Sequence, residues 1–153
     1  MSIWFFINVL IFIFVLWKVM DNIAIHTLVG LIGVTLILYN WTRHAVFSTI
    51  RSKISRKRKI KFAQLSKKLL PIHKWTGTTA LVVIIIHASI VLYYFGISSI
   101  NIKMFTGMLA ILALIGVVTF GWLRHMRTTV ARRYIHWSLA YTLIFLVILH
   151  VIL

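Results

Sequence analysis

Residues 70–95 read LPIHKWTGTTALVVIIIHASIVLYYF. Lys74 is the only charged side chain in this run, which is otherwise apolar, hydroxylic or aromatic apart from His73 and His87. A helix crosses ~30 Å of hydrocarbon in about 20 residues, so the run is long enough to span a bilayer. Four further stretches have the same character, approximately 3–19, 23–47, 102–123 and 134–153. The composition agrees: hydrophobic residues make up 61% of 153 and the mean hydropathy is +1.01. A soluble domain this small has too little interior to hide so much apolar surface. The expectation is one all-α integral membrane domain, 1–153, built as a bundle of about five transmembrane helices. The first stretch lacks a basic leader and is followed by Lys18-Val-Met-Asp21 rather than small residues, so it reads as a retained helix and not a secretory signal.

Charge orders the segments. The stretch 48–69 holds Arg51, Lys53, Arg56, Lys57, Arg58, Lys59, Lys61, Lys67 and Lys68, and reads as a basic loop. Arg124, Arg127, Arg132 and Arg133 follow between the fourth and fifth stretches. With Arg43 and Lys74 the split is 15 cations on one side against Lys18 and Lys103 on the other. The positive-inside rule then puts the amino terminus and basic segments in the cytoplasm and the carboxy terminus outside an inner or plasma membrane. The third and fifth helices run parallel. Anionic headgroups or an acidic soluble partner suit such a surface. Nucleic acid does not, because Phe62 alone interleaves with the charges.

Much chemistry is excluded. The chain has no cysteine, so disulfides, thiolate metal sites, iron–sulfur ligation and covalent haem attachment are absent. Asp21 is its only carboxylate, which removes paired-carboxylate hydrolysis, a Ser-His-Asp triad and a carboxylate proton relay. No H-x-x-x-H occurs, so a membrane di-iron site is not expected. The ionisable chemistry of the apolar regions rests on seven histidines.

Four of these form a pattern. His73 and His87 lie fourteen residues apart on the third helix, and His136 and His150 fourteen apart on the fifth. At about 100° per residue that spacing returns to within about 40° of one face, and it covers ~21 Å of rise. Two parallel helices thus offer facing pairs, His73 with His136 and His87 with His150, at two matched depths. Opposed imidazoles are the axial ligands a b haem needs, and bis-imidazole iron favours electron transfer over substrate binding. Two haems stacked along the membrane normal are expected. Gly77, four residues after His73, would let a porphyrin approach the backbone, or would serve close helix packing. Arg124, Arg132, Arg133 and Lys74 cluster near the His73 level as candidate partners for haem propionates. His26, His44 and His125 read as interfacial residues, with His26 or His44 as an outside candidate for ligand exchange.

The segments His73-Lys-Trp-Thr-Gly77, His87, Arg132-Arg-Tyr-Ile-His136-Trp and His150 resemble the ferric reductase-like transmembrane domain family. That family includes the membrane parts of NADPH oxidases and ferric-chelate reductases and the bacterial haem subunit MsrQ. The resemblance covers roughly residues 23–153 and implies that these four histidines hold two stacked b haems. Larger family members append a flavin and nicotinamide domain after a sixth helix. This sequence ends three residues after His150 and has no G-x-G-x-x-G loop. The implied donor is therefore a separate flavoprotein or membrane quinol, and the acceptor an outer-side species such as ferric iron, oxygen or a partner reductase. An MsrQ-like subunit feeding one external reductase and a haem-free assembly or transporter subunit are the alternatives. Homo-oligomers occur among the family's assemblies.

Overall fold

The computed structural model describes residues 3–97 and 101–153, apart from the side chain of His125. It is all-helical: α1 Ile3–Met20, α2 Ile25–Arg51, α3 Arg56–Phe95, α4 Ile102–Met126 and α5 Val130–Ile152. Each helix is long and apolar enough to cross a membrane. Local chemistry sets several ends. The Asn101 side chain accepts from the Met104 N–H at 3.0 Å and Thr129 accepts from the Arg132 N–H at 3.2 Å, so α4 and α5 both start on a side-chain cap. Gly96 closes α3 at φ 67, the left-handed region where a side chain is strained.

The stretch 48–69, expected as a loop, is helical almost throughout. α2 runs on to Arg51, only 52–55 breaks the chain, and α3 then continues for 40 residues. Hydropathy marks where lipid ends, not where a helix ends. Residues 56–70 contain neither Gly nor Pro and are rich in Lys, Arg, Leu, Ala and Gln, all strong helix formers. A helix of this length measures about 60 Å, twice the ~30 Å of a hydrocarbon core. Its polar half therefore projects beyond the apolar span, and Pro71 stands at the junction. Likewise α5 begins at Val130 rather than 134, taking Arg132 and Arg133 into its first turn.

The helices close into a ring in chain order. α1 packs on α2, α2 on α3, α3 on α4 and α4 on α5, while α1 also touches α5. The closest partnerships are α2 with α3 and α4 with α5. α3 and α5 face one another without comparable backbone packing. Hydrogen bonds tie the ring: Asn8 Nδ2 donates to Leu38 O at 2.8 Å, Thr76 Oγ1 to Asn40 Oδ1 at 2.7 Å, and Trp122 Nε1 to Thr78 Oγ1 at 3.2 Å. The core is small and aliphatic, with Val34, Ile37, Ala80, Ala113, Leu114 and Leu143 at its centre. Large apolar side chains such as Phe6, Leu10, Ile13, Leu112 and Phe145 point outward. In water such a surface would aggregate; in lipid it is the solvated face.

Candidate functional site

His87 on α3 and His150 on α5 meet across the bundle at the end away from the basic segments. Their ring centres are 6.4 Å apart and their planes cross at 87°. Two metal–nitrogen bonds of about 2 Å, plus about 1.1 Å from each ring centre to its nitrogen, give about 6.2 Å. The observed separation is close to that figure, and it is equally that of an ordinary edge-to-face contact between two rings.

Each ring is held from behind. His87 Nδ1 lies 2.8 Å from His26 O on α2, and His150 Nδ1 lies 2.8 Å from Lys103 O on α4. A carbonyl only accepts, so Nδ1 carries the proton and Nε2 is left as the lone-pair nitrogen. In metal sites, a carbonyl at this nitrogen orients the imidazole and raises the basicity of the other nitrogen. A glycine makes room for each ring. A Cβ on Gly30 would lie 3.0 Å from His87 Cε1, and a Cβ on Gly107 would lie 3.0 Å from His150 Cε1. Each glycine sits four residues, one helical turn, after the carbonyl that its histidine uses.

The device recurs nearer the basic end. His136 is buried, its Nδ1 lies 2.9 Å from Val117 O, and a Cβ on the glycine one turn on, Gly121, would lie 3.5 Å from His136 Cε1. On α4 the two carbonyls and the two glycines are each fourteen residues apart, the same spacing as the two histidines of α5. The α2–α3 pair breaks the pattern. Fourteen residues beyond His26 and Gly30 come Asn40 and His44, of which Asn40 lines a small cavity with His73. There the Asn40 side chain takes the Thr76 hydroxyl and lies against Gly77, and the buried Nδ1 of His73 has no hydrogen-bond partner. A Cβ on Gly77 would meet only Asn40 Nδ2 of the neighbouring helix, at 3.7 Å, an ordinary contact distance.

Arg43 and Arg124 complete the basic-end level. Both act electrostatically on His73 and on His136, and each keeps a buried Nε without a partner. They belong to matching runs, Trp41-Thr-Arg43-His44 and Trp122-Leu-Arg124-His125. No protein carboxylate can serve them. Asp21 is the chain's only one, and it lies before the other end of α2, about 30 Å from Arg43 along the helix. Two half-buried guanidinium groups with no acid in reach suit an anionic guest.

The other expected residues have different occupations. Arg132 Nη1 donates to Leu123 O at 3.1 Å and Arg127 O at 3.0 Å, closing the end of α4. The Arg133 guanidinium lies over Tyr134 and Trp137, and the Lys74 ammonium over Trp122. His26 lends its carbonyl to His87 while its ring meets Phe95. His44 enters an aromatic cluster with Trp4, Trp41 and Tyr141, its Nε2 3.0 Å from the Tyr141 hydroxyl. The His125 side chain lies outside the described residues. Sequence reasoning passed over Gly30, Gly107, Gly121 and Arg43. The fourteen-residue interval between Gly107 and Gly121, matching that of the histidines, was a signal for two of them.

Compared with protein-family models, curated proteins and solved structures, the chain matches none. Among the described residues no three or more His, Cys, Asp or Glu side chains gather as a metal site. A bare ion held by protein side chains alone needs such a group. A metal that brings its own four equatorial nitrogens needs only two axial imidazoles.

Proposed function

We propose that this chain is a multi-pass membrane electron carrier that holds two b haems, one between His87 and His150 and one between His73 and His136. The observation that carries the reading is the far-end pair: two rings 6.4 Å apart, each with Nδ1 fixed on a backbone carbonyl and Nε2 free to ligate. Bound between two imidazoles, haem supplies an iron that exchanges one electron and keeps no open position for substrate.

The protein's own residues would do the remaining work. The carbonyls of His26, Lys103 and Val117 fix tautomer and ring angle, and Gly30, Gly107 and Gly121 let the rings sit close to the neighbouring helices. Arg43 and Arg124 would neutralise the propionates at the basic-end level, with Lys74 near them. The aliphatic core between the pairs keeps water from the path. With the basic segments cytoplasmic by the positive-inside rule, electrons would enter at His73 and His136 and leave at His87 and His150. The helical extension of α3, bearing Arg56, Lys57, Arg58, Lys59, Lys61, Lys67 and Lys68, offers a cationic landing for an acidic flavoprotein donor. Membrane quinol is the alternative source. The acceptor is an outer-side oxidant or partner reductase, as the resemblance to ferric reductase-like domains implies.

Vesicles test this directly. Haem-loaded protein is reconstituted into liposomes with ferricyanide trapped inside, and dithionite is added outside. The trapped ferricyanide should be bleached far faster than in protein-free vesicles, and His150→Ala should return the rate to the protein-free level. Wild-type vesicles that bleach no faster than empty ones would overturn transmembrane transfer.

A further inference from the structure

Three of the four paired histidines share one construction, and the fourth lacks it. His87, His150 and His136 each have a carbonyl acceptor at Nδ1 and a glycine one turn beyond that carbonyl. For His73 the corresponding positions are Asn40 and His44, and its buried Nδ1 has no partner. The cause is local. At this level α2 meets α3 through the Asn40 side chain, bonded to Thr76 and seated on Gly77, instead of through a histidine ring. His44, standing where the glycine would be, has its ring among Trp4, Trp41 and Tyr141.

Resting on the haem reading above, we infer that the two haem sites are energetically unequal: the His73–His136 site has the higher midpoint potential, because His73 has no carbonyl acceptor at its Nδ1. A carbonyl at Nδ1 pushes electron density toward Nε2 and favours ferric iron, so a histidine without one is the weaker donor. The far-end site has two such bonds and the basic-end site one. Charge acts in the same direction. Reduction removes one positive charge from the iron, so nearby cations favour the ferrous state. Arg43 and Arg124 act on both histidines of the basic-end site. Lys103 stands near His150 at the far end, but it is solvent-exposed and its charge is screened. Each site takes up one electron, ferric to ferrous, with no proton transferred at the imidazoles. A single electron entering the protein therefore rests at the basic end. It moves outward when a second electron arrives or when a membrane potential, negative inside, drives it.

Redox titration of purified, haem-loaded protein, followed in the α-band, tests this. His87→Ala leaves only the basic-end site intact and His73→Ala only the far-end site; the first variant should show the higher midpoint. Gly30→Ala, which presses on His87, should raise the lower midpoint of the otherwise wild-type protein. Equal midpoints, or the reverse order, with both haems bound would overturn the inference and leave the haem reading standing. Wild-type protein that binds no haem would overturn the reading and the inference together.

Discussion

His87→Ala should reduce the haem content of purified protein from about two per chain to about one and abolish electron transfer across the membrane. The substitution removes one of two axial nitrogens at the far end and leaves a space where a ring had been held between His26 O and Gly30. His150 remains fixed by the Lys103 carbonyl, but one imidazole holds haem less firmly than two. The basic-end pair does not contain His87 and should keep its haem with an unchanged spectrum. Haemochrome content and the ferricyanide assay read the two effects separately. Retention of both haems in the low-spin, six-coordinate state would refute the pairing of His87 with His150.

The second large effect belongs to a residue that touches no metal. Gly107→Ala places a methyl group 3.0 Å from His150 Cε1 and 3.1 Å from its Nδ1, inside the ordinary range of carbon contacts. The imidazole must move by a few tenths of an ångström, and that motion stretches its hydrogen bond to Lys103 O. Loss of such outer-shell support lowers affinity about 10–100-fold, or about 1.4–2.8 kcal/mol, in metal sites. Gly107→Ala should therefore release the far-end haem during dilution or challenge with apomyoglobin, at a rate well above that of wild type. Gly77→Ala is the control. Its Cβ meets only Asn40 Nδ2, at 3.7 Å, so haem retention there should match wild type. Equal retention in the two variants would show that the glycine cradles are incidental.

These outcomes also separate what the sequence displays from what it hides. Helix number and the depths of the histidines follow from apolar runs and a fourteen-residue spacing, both properties of single segments. The start of α3 does not follow, because the cations from Arg56 to Lys68 leave the hydrocarbon without leaving the helix. Gly77 shares a face with His73 by periodicity, yet which neighbour occupies that face depends on α2, and the neighbour is Asn40. Arg132 and Arg43 exchange importance for the same reason. Proximity in sequence favours Arg132 beside His136, but its guanidinium closes α4, while Arg43 arrives from another helix. Carbonyl acceptors are hidden most completely. Any residue has one, and only the pairing of α2 with α3 and of α4 with α5 selects His26, Lys103 and Val117.

If four imidazoles hold two irons, the ratio of haem to chain reports it. Protein purified from haem-replete cells should give about two b haems per chain by pyridine haemochrome, with a ferric low-spin signature expected of paired histidines. A colourless preparation, or haem that is high-spin throughout, would contradict the account.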